Sequence, residues 1–281
     1  MGCDVYFLTG SDEHGQKVAA SAALGNLPPL DHCNIYVNAF KALNQRLAIS
    51  CSGYQRTTDP SHEETARKLW CMCADAGDIY LSSYEGWYNE REEVFVPDSE
   101  AQTSNYLDSG SGLPLKRVSE ESYFFRMSKY AEQLTSYIED NPSFIEPEQY
   151  RNNILARLRK DDLKDLSISR TTFSWGISMP DGFDSRHVMY VWFDALSNYL
   201  TGVNALDHND EKSRYWPADT HIIGKDIIWF HCVIWPCILI SAKVPLPKRV
   251  FSHGFVNAAD GRKMSKSYNN AVDPHDVSAS A

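Results

Sequence analysis

The run Val5-Tyr6-Phe7-Leu8-Thr9-Gly10-Ser11-Asp12-Glu13-His14-Gly15-Gln16-Lys17 decides the fold class. A short β-rich stretch over 4–8 gives way to a polar loop over 9–15, and a helix is predicted over 16–24. Strand, polar loop, helix is the local grammar of an open α/β sheet, in which ligands sit beyond the carboxyl ends of strands. Asp12 stands where such a strand ends, although an aspartate after a strand is also a common loop or cap residue.

Outward from there, Pro28-Pro29 opens a second helix over 31–49, with Ile35, Ala39, Ala42, Leu43 and Leu47 at helical spacing. A connector over 50–61 ends in Ser61, which with Glu64 forms a capping box for a helix over 62–76, stopped by Gly77. Residues 78–97 read as extended and 100–115 as a Ser-, Gly- and Asp-rich loop within an insertion. Helices are predicted over 124–138, 147–159 and 192–200, and strand-like segments over 171–179 and 188–191. A short strand over 221–224 feeds a long helix over 225–240, and a last strand spans 249–251.

The 281 residues are enough for one large domain or two ordinary ones. The longest apolar run, 227–242, is interrupted by His231, Pro236 and Ser241 and reads as a buried helix. The start, Met1-Gly2-Cys3-Asp4, lacks the pattern of a secretory signal. A formal net charge of -10 argues against nucleic-acid binding by the surface at large, because that affinity rests on neutralising phosphates. The seven cysteines are scattered and form no C-x-x-C pair, so they read as reduced thiols of a cytosolic protein rather than zinc ligands.

Near the C-terminus, Gly261-Arg262-Lys263-Met264-Ser265-Lys266-Ser267 reads as a glycine-hinged loop with two lysines and two hydroxyls. Lysine ammoniums are compact charges suited to nucleotide phosphates, but such a run is also a common solvated basic loop. Its neighbours in sequence give it context. The Asp12 block is followed by Tyr190-Val191-Trp192-Phe193-Asp194-Ala195, by Ile223-Gly224-Lys225-Asp226-Ile227 and by the Lys263 loop, with Tyr123–Tyr130 and Asp165–Arg170 in between. In this order the blocks resemble the methionyl-tRNA synthetases, whose class I signature is K-M-S-K-S, and the resemblance covers nearly the whole chain.

The resemblance implies an α/β fold: an incomplete Rossmann-type parallel sheet nucleotide-binding domain with a connective-peptide insertion. The implied boundaries are 1–76 and 165–257 for the two parts of the catalytic domain, 77–164 for the insertion, and 258–281 for the K-M-S-K-S loop and the start of the stem-contact region. It implies activation of methionine with ATP, Mg²⁺ bridging the phosphates, and transfer to tRNA(Met) in the cytoplasm. Asp12 would take the methionine ammonium, with Arg170 pairing with it. Trp192, Ala195, Tyr199, Phe230 and His231 would form the thioether slot, although an aromatic stripe at helical spacing is usually core. Gly224, Lys225, Asp226, His253, Gly254, Lys263, Met264, Ser265 and Lys266 would hold ATP, with Lys263 and Lys266 on the pyrophosphate side. Asp226 suits either ribose hydroxyls or the surroundings of methionine.

Several departures shape the expectation. Leu166 and Leu196 stand where some relatives carry tryptophan and proline. Asn89 and Glu92 stand where cysteines of a zinc knuckle would sit, so no metal is expected there. No His-x-Gly-His occurs among the nine histidines, so the family's H-I-G-H turn is expected to be missing, as is its anticodon-binding domain. The chain is therefore expected to be a piece of a catalytic core, nearly inactive alone, with an N-terminal polypeptide supplying the turn as one implied partner. A non-catalytic, synthetase-derived scaffold is the alternative. A cysteinyl enzyme would need zinc ligands, and a dehydrogenase would need the G-x-G-x-x-G that is absent.

Overall fold

A computed structural model describes residues 2–89, 94–96, 98–108, 111–258, 261–262, 264 and 270–274. In chain order the elements are β1 (Leu8–Ser11), α1 (Gln16–Leu24), α2 (Pro29–Arg46), β2 (Gly53–Arg56), α3 (Pro60–Asp75), β3 (Ile79–Asn89), β4 (Val94–Val96) and α4 (Asp98–Thr103). They continue with β5 (Lys116–Phe125), α5 (Ala131–Asp140), β6 (Ile145–Glu146), α6 (Glu148–Lys160), β7 (Leu166–Ser167), β8 (Ser169–Arg170) and β9 (Val188–Met189). The last are α7 (Val191–Thr201), β10 (His221–Gly224), α8 (Trp235–Ser241) and β11 (Val250–His253).

Two parallel sheets carry the α/β character. β1 pairs with β2, and β10, β11 and β6 lie side by side in that order. A separate antiparallel sheet is ordered β4-β3-β5-β7; its spine is the long β3–β5 pairing from Ile79–Phe125 to Tyr88–Lys116, and through β7 it takes in Leu166–Ser167, beyond the 77–164 expected for an insertion. Behind the parallel strands, α3 packs on α7. Trp70 is fully buried and meets Tyr123, Phe183 and Phe193 edge to face. Burying a large apolar side chain is worth roughly 1.5–3 kcal/mol, so this aromatic knot is a principal anchor of the core.

Several local expectations are corrected. β1 lies at Leu8–Ser11 rather than 4–8, because the ladder to Gly53–Arg56 takes in Thr9, Gly10 and Ser11. That pairing also turns part of the expected connector over 50–61 into β2. The capping box is not formed: α3 begins at Pro60, with Asp59 at its N-cap. Asp59 accepts instead from Gln55 Nε2 and the Arg56 N–H, and Ser61 already lies inside the first turn. Gly77 does end α3, at φ 74°, with the Asp78 N–H returning to the Cys73 carbonyl.

The expected loop over 100–115 begins inside α4. Phe124 and Phe125 belong to β5, where they pair with Ser167 and Leu166, so that helix starts only after a 3-10 turn at Met127–Tyr130. Residues 171–179 form no strand beyond a single bridge from Ser178 to Val188. The helix expected over 225–240 opens on a 3-10 turn at Lys225–Ile227 and then runs without a break over 228–241, with a π turn at Phe230–Ile234 leading into α8. Pro236 has no N–H to donate, and the wider π turn, closed by the Trp235 N–H on the Phe230 carbonyl, absorbs the interruption. On α2 only Cys33 and Val37 are buried, while Ile35 and Phe40, and Leu47 at its C-cap, are exposed.

Candidate active site

The site begins at the carboxyl ends of parallel strands, where the sheet's backbone no longer pairs with itself. β1 ends at Ser11, and Asp12 follows it as an exposed carboxylate. Gly15 then takes φ 99°, a value open mainly to glycine, and turns the chain into α1. Glu13 beneath is buried and gripped by Arg56 through Nε at 2.8 Å and Nη2 at 2.7 Å, with Thr58 Oγ1 at 2.7 Å and Ser11 Oγ at 2.5 Å. Burial alone would raise its pKa, but Arg56 and the two hydroxyls outweigh burial and hold it below the usual carboxylate value.

α7 supplies the second wall. Trp192, Ala195 and Tyr199 lie along one face and are partly exposed, and the Trp192 ring stacks on Phe230 at 3.7 Å and 15°. Tyr199 Oη and His231 Nε2 are 2.7 Å apart, a hydrogen bond between the two polar groups of this face. His231 Nδ1 lies 3.0 Å from the Ile227 carbonyl, which can only accept, so Nδ1 carries the proton and Nε2 accepts from the tyrosine. Burial pushes His231 down to about 4, so the imidazole is neutral at physiological pH. Burial, and secondarily the charge of Asp12, pushes the Tyr199 hydroxyl up, so it stays protonated. The slot is thus aromatic, uncharged and equipped with one hydroxyl and one imidazole.

The third wall is the end of β10 and β11, where Gly224 and His253 are register partners. Gly224 caps the Lys225–Ile227 turn, a Cβ there would lie 2.6 Å from Asp226 Oδ1, and Lys225 Nζ sits 4.2 Å from the centre of the Phe255 ring. His253 Nδ1 lies 2.8 Å from the Gly254 carbonyl. Beyond it, Met264 N–H donates to the Val256 carbonyl and Ala258 N–H to the Arg262 carbonyl, folding this stretch back on itself, with Gly261 at φ 81°. Lys263, Ser265 and Lys266 lie outside the described residues. Arg170 is buried, and its Nη1 donates to Ser167 Oγ at 2.8 Å and the Ser169 carbonyl at 2.7 Å. Its guanidinium stands over the Tyr190 ring at 4.5 Å.

A family profile described as "tRNA synthetases class I (M)" matches residues 1–106 and 111–281. The chain belongs to the methionyl-tRNA synthetases of class I. The methionine–tRNA ligase of Mycobacterium bovis is 48% identical over 276 residues, 97% of this chain and 52% of the relative. That of Brucella suis is 46% identical over 98% of this chain and 53% of the relative. This synthetase chain thus spans about half the length of the curated relatives it matches. Mycobacterium tuberculosis methionyl-tRNA synthetase bound by methionyl-adenylate superimposes with a TM-score of 0.90 at 46% identity, over 99% of this chain and 54% of that one. The apo form of the same enzyme gives 0.75 at 38% identity over 89% of this chain and 56% of that one.

Some of this synthetase's notable groups were not singled out from sequence. Asp194, on the far side of α7, is fully buried between His14 and His62. His14 and Asp194 lie in the quoted motif blocks, whereas nothing in the sequence marks His62. His221 is a further one: it is buried against Tyr199 at 4.2 Å, and burial lowers it to about 3. In the insertion, Asn89 Nδ2 donates to Asp108 Oδ1 at 3.0 Å, and Glu92 lies outside the described residues. Elsewhere Glu121, Asp184 and His187 bring one potential ligand atom each within 4.8 Å of one another. Arg186 already holds both carboxylates, at 3.0 and 2.5 Å, which is the arrangement of an ion-pair cluster rather than a vacant metal cage.

Proposed function

We propose that this chain is the central catalytic part of a methionine–tRNA ligase, which condenses methionine with ATP to methionyl-adenylate and pyrophosphate and then passes the methionyl group to tRNA(Met). The observation that carries this reading is the neutral Tyr199–His231 pair, walled by the Trp192–Phe230 stack, beside the carboxylate of Asp12. A thioether gains from aromatic contacts, and an α-ammonium gains from a nearby carboxylate. Burial keeps the pair uncharged, so a charged side chain would be desolvated there without a partner. Arg170 would act on Asp12 through its charge.

ATP would lie across the ends of β10 and β11, over Gly224, Lys225, Asp226, His253 and Gly254, with Met264, Ser265 and the ammoniums of Lys263 and Lys266 at the departing pyrophosphate. Mg²⁺ would travel with the phosphates. The methionine carboxylate attacks the α-phosphorus, so no protein nucleophile is needed, and positioning and charge do the work. Resemblance to the adenylate-bound relative, closer than to the apo form, is in keeping with this. The cytoplasm is the proposed compartment, as the site of tRNA charging.

The proposal includes a further strand–helix segment carrying a His-x-Gly-His turn, supplied by the same polypeptide or another. Three features support it. β1 and β10 are both parallel strands that reach α7: a Cβ on Gly10 would meet Asn198, and the Tyr199 ring lies tilted against His221 at 4.2 Å. Yet no ladder joins them among the described residues. Ile222 of β10, at 70% exposure, is left uncovered on a parallel-sheet face, and Val5, in the segment leading into β1, is 71% exposed.

The test is methionine-dependent ATP–pyrophosphate exchange by the chain alone and with that segment added. Exchange near background for the chain, restored by the segment and lost again in Asp12→Ala, is the expected pattern. Full exchange by the chain alone would overturn the need for the segment, and no exchange in any arm would overturn the assignment.

A further inference from the structure

We infer that His14 and His62, clasping Asp194 from its two sides, are positioning residues that fix the Asp12 segment to α7, so that the ammonium carboxylate and the thioether slot move as one body. The inference rests on the methionine reading above and adds the device that holds its two halves in register.

Asp194 Oδ2 lies 2.6 Å from His14 Nδ1, and Oδ1 lies 2.6 Å from His62 Nε2. The three side chains are buried, the aspartate and His62 completely. A buried carboxylate without partners is costly, and here each oxygen has an imidazole N–H. His62 continues to α7 a second time, with Nδ1 3.0 Å from Thr201 Oγ1, so α3 holds α7 at two points about two turns apart.

The direction of these contacts matters. At 100° per residue, Trp192, Ala195 and Tyr199 fall within about 60° of arc, and Asp194 points to the opposite side. The clasp therefore grips the back of the helix whose front is the slot. His14, two residues past Asp12, transmits that grip to the carboxylate. The same segment is held by Arg56 through Glu13 and by Trp175, whose Nε1 donates to the Glu13 carbonyl at 2.6 Å. The charged and titratable groups facing His14 are Asp194 from α7, His62 and Glu63 from α3, and Asp12 and Glu13 from its own segment, with Arg56 behind Glu13. Burial opposes its protonation, but Asp194 first and Asp12 and Glu63 after it outweigh burial and raise its pKa.

A purely structural clasp would weaken every ligand alike. A positioning clasp discriminates, because it aims Asp12 at an ammonium. Binding of L-methionine and of 4-(methylthio)butanoic acid, which lacks the amino group, is measured by isothermal titration calorimetry on the full chain, wild type, His14→Phe, His14→Gln and His62→Gln. The expected result for His14→Phe is about tenfold weaker methionine binding, with the amine-free analogue changed less than about twofold, and partial recovery in His14→Gln.

If the wild type does not prefer methionine, the functional reading fails. If it does, and the variants keep its ratio, the positioning inference fails. Should the variants not fold, proton NMR of the wild type decides: two strongly downfield imidazole N–H signals that persist when methionine binds are required, and their absence overturns the inference.

Discussion

His231 is 1% exposed and His221 5%, and their rings lie 6.0 Å apart around Tyr199. Burial lowers both, to about 4 and about 3, whereas an unfolded histidine titrates near about 6.5. Below about pH 6.5 the unfolded chain therefore binds protons that the folded chain refuses. Stability then rises with pH across that window and falls as the solution is acidified towards pH 4. His14 has the opposite sign: its raised pKa contributes stability that is complete below the unfolded value and is lost as pH rises through the folded one. The expected outcome in urea denaturation is a loss of about 1–2 kcal/mol for each of His221 and His231 between pH 7 and pH 5. His221→Asn should flatten that slope, and an unchanged slope would count against the assignment. At this scale much was legible: Asp12 after a strand, and Trp192, Ala195 and Tyr199 at helical spacing. His62 was not, because it meets Asp194 across 132 residues of chain.

At the scale of elements, two glycines set how closely β1 can approach its neighbours. A Cβ on Gly10 would lie 2.1 Å from the Gln55 carbonyl oxygen, inside the β1–β2 ladder. A Cβ on Gly202, just past α7, would meet the Leu8 side chain at 2.3 Å. Backbone cannot yield without breaking the ladder, whereas a leucine can change rotamer. Gly10→Ala should therefore cost more than Gly202→Ala, about 3 kcal/mol or more against about 1–2 kcal/mol, by thermal or urea denaturation. Equal costs would show that β1 shifts freely. The helices over 16–24, 147–159 and 192–200 and the strand over 221–224 were read almost to the residue, since each has a strong period and a local stop. Phe124-Phe125 was misread as helix because two adjacent aromatics suit either state, and only the ladder to Leu166 and Ser167 selects strand. The helix over 225–240 is continuous from 228 onward, and what its period does not announce is the π turn just before Pro236.

Across the whole molecule, one buried carboxylate is a hub between the antiparallel sheet and the helices behind it, beside the Trp70–Tyr123 contact and the β5–β7 ladder. Asp78, at the foot of β3, accepts Lys129 Nζ at 2.7 Å, Ser241 Oγ at 2.8 Å and the Tyr130 hydroxyl, linking α8 to the turn after β5. Asp78→Ala strands the buried Tyr130 and Ser241 hydroxyls, and the expected cost is about 2–4 kcal/mol. Hydrogen exchange should quicken along β3 and β5; exchange confined to α8 would show that the insertion docks by other contacts. By itself the sequence determined most of the helices, the strand–loop–helix start, the motif blocks and the family, because these depend on short-range periodicity and on residue types in fixed succession. Only the tertiary structure decided which strands pair, that α2 leaves its apolar residues uncovered, and that Asp194 faces two histidines on the back of the helix whose front is the slot. Those facts join residues distant in sequence, and a one-dimensional pattern records neither side-chain direction nor the water excluded between them.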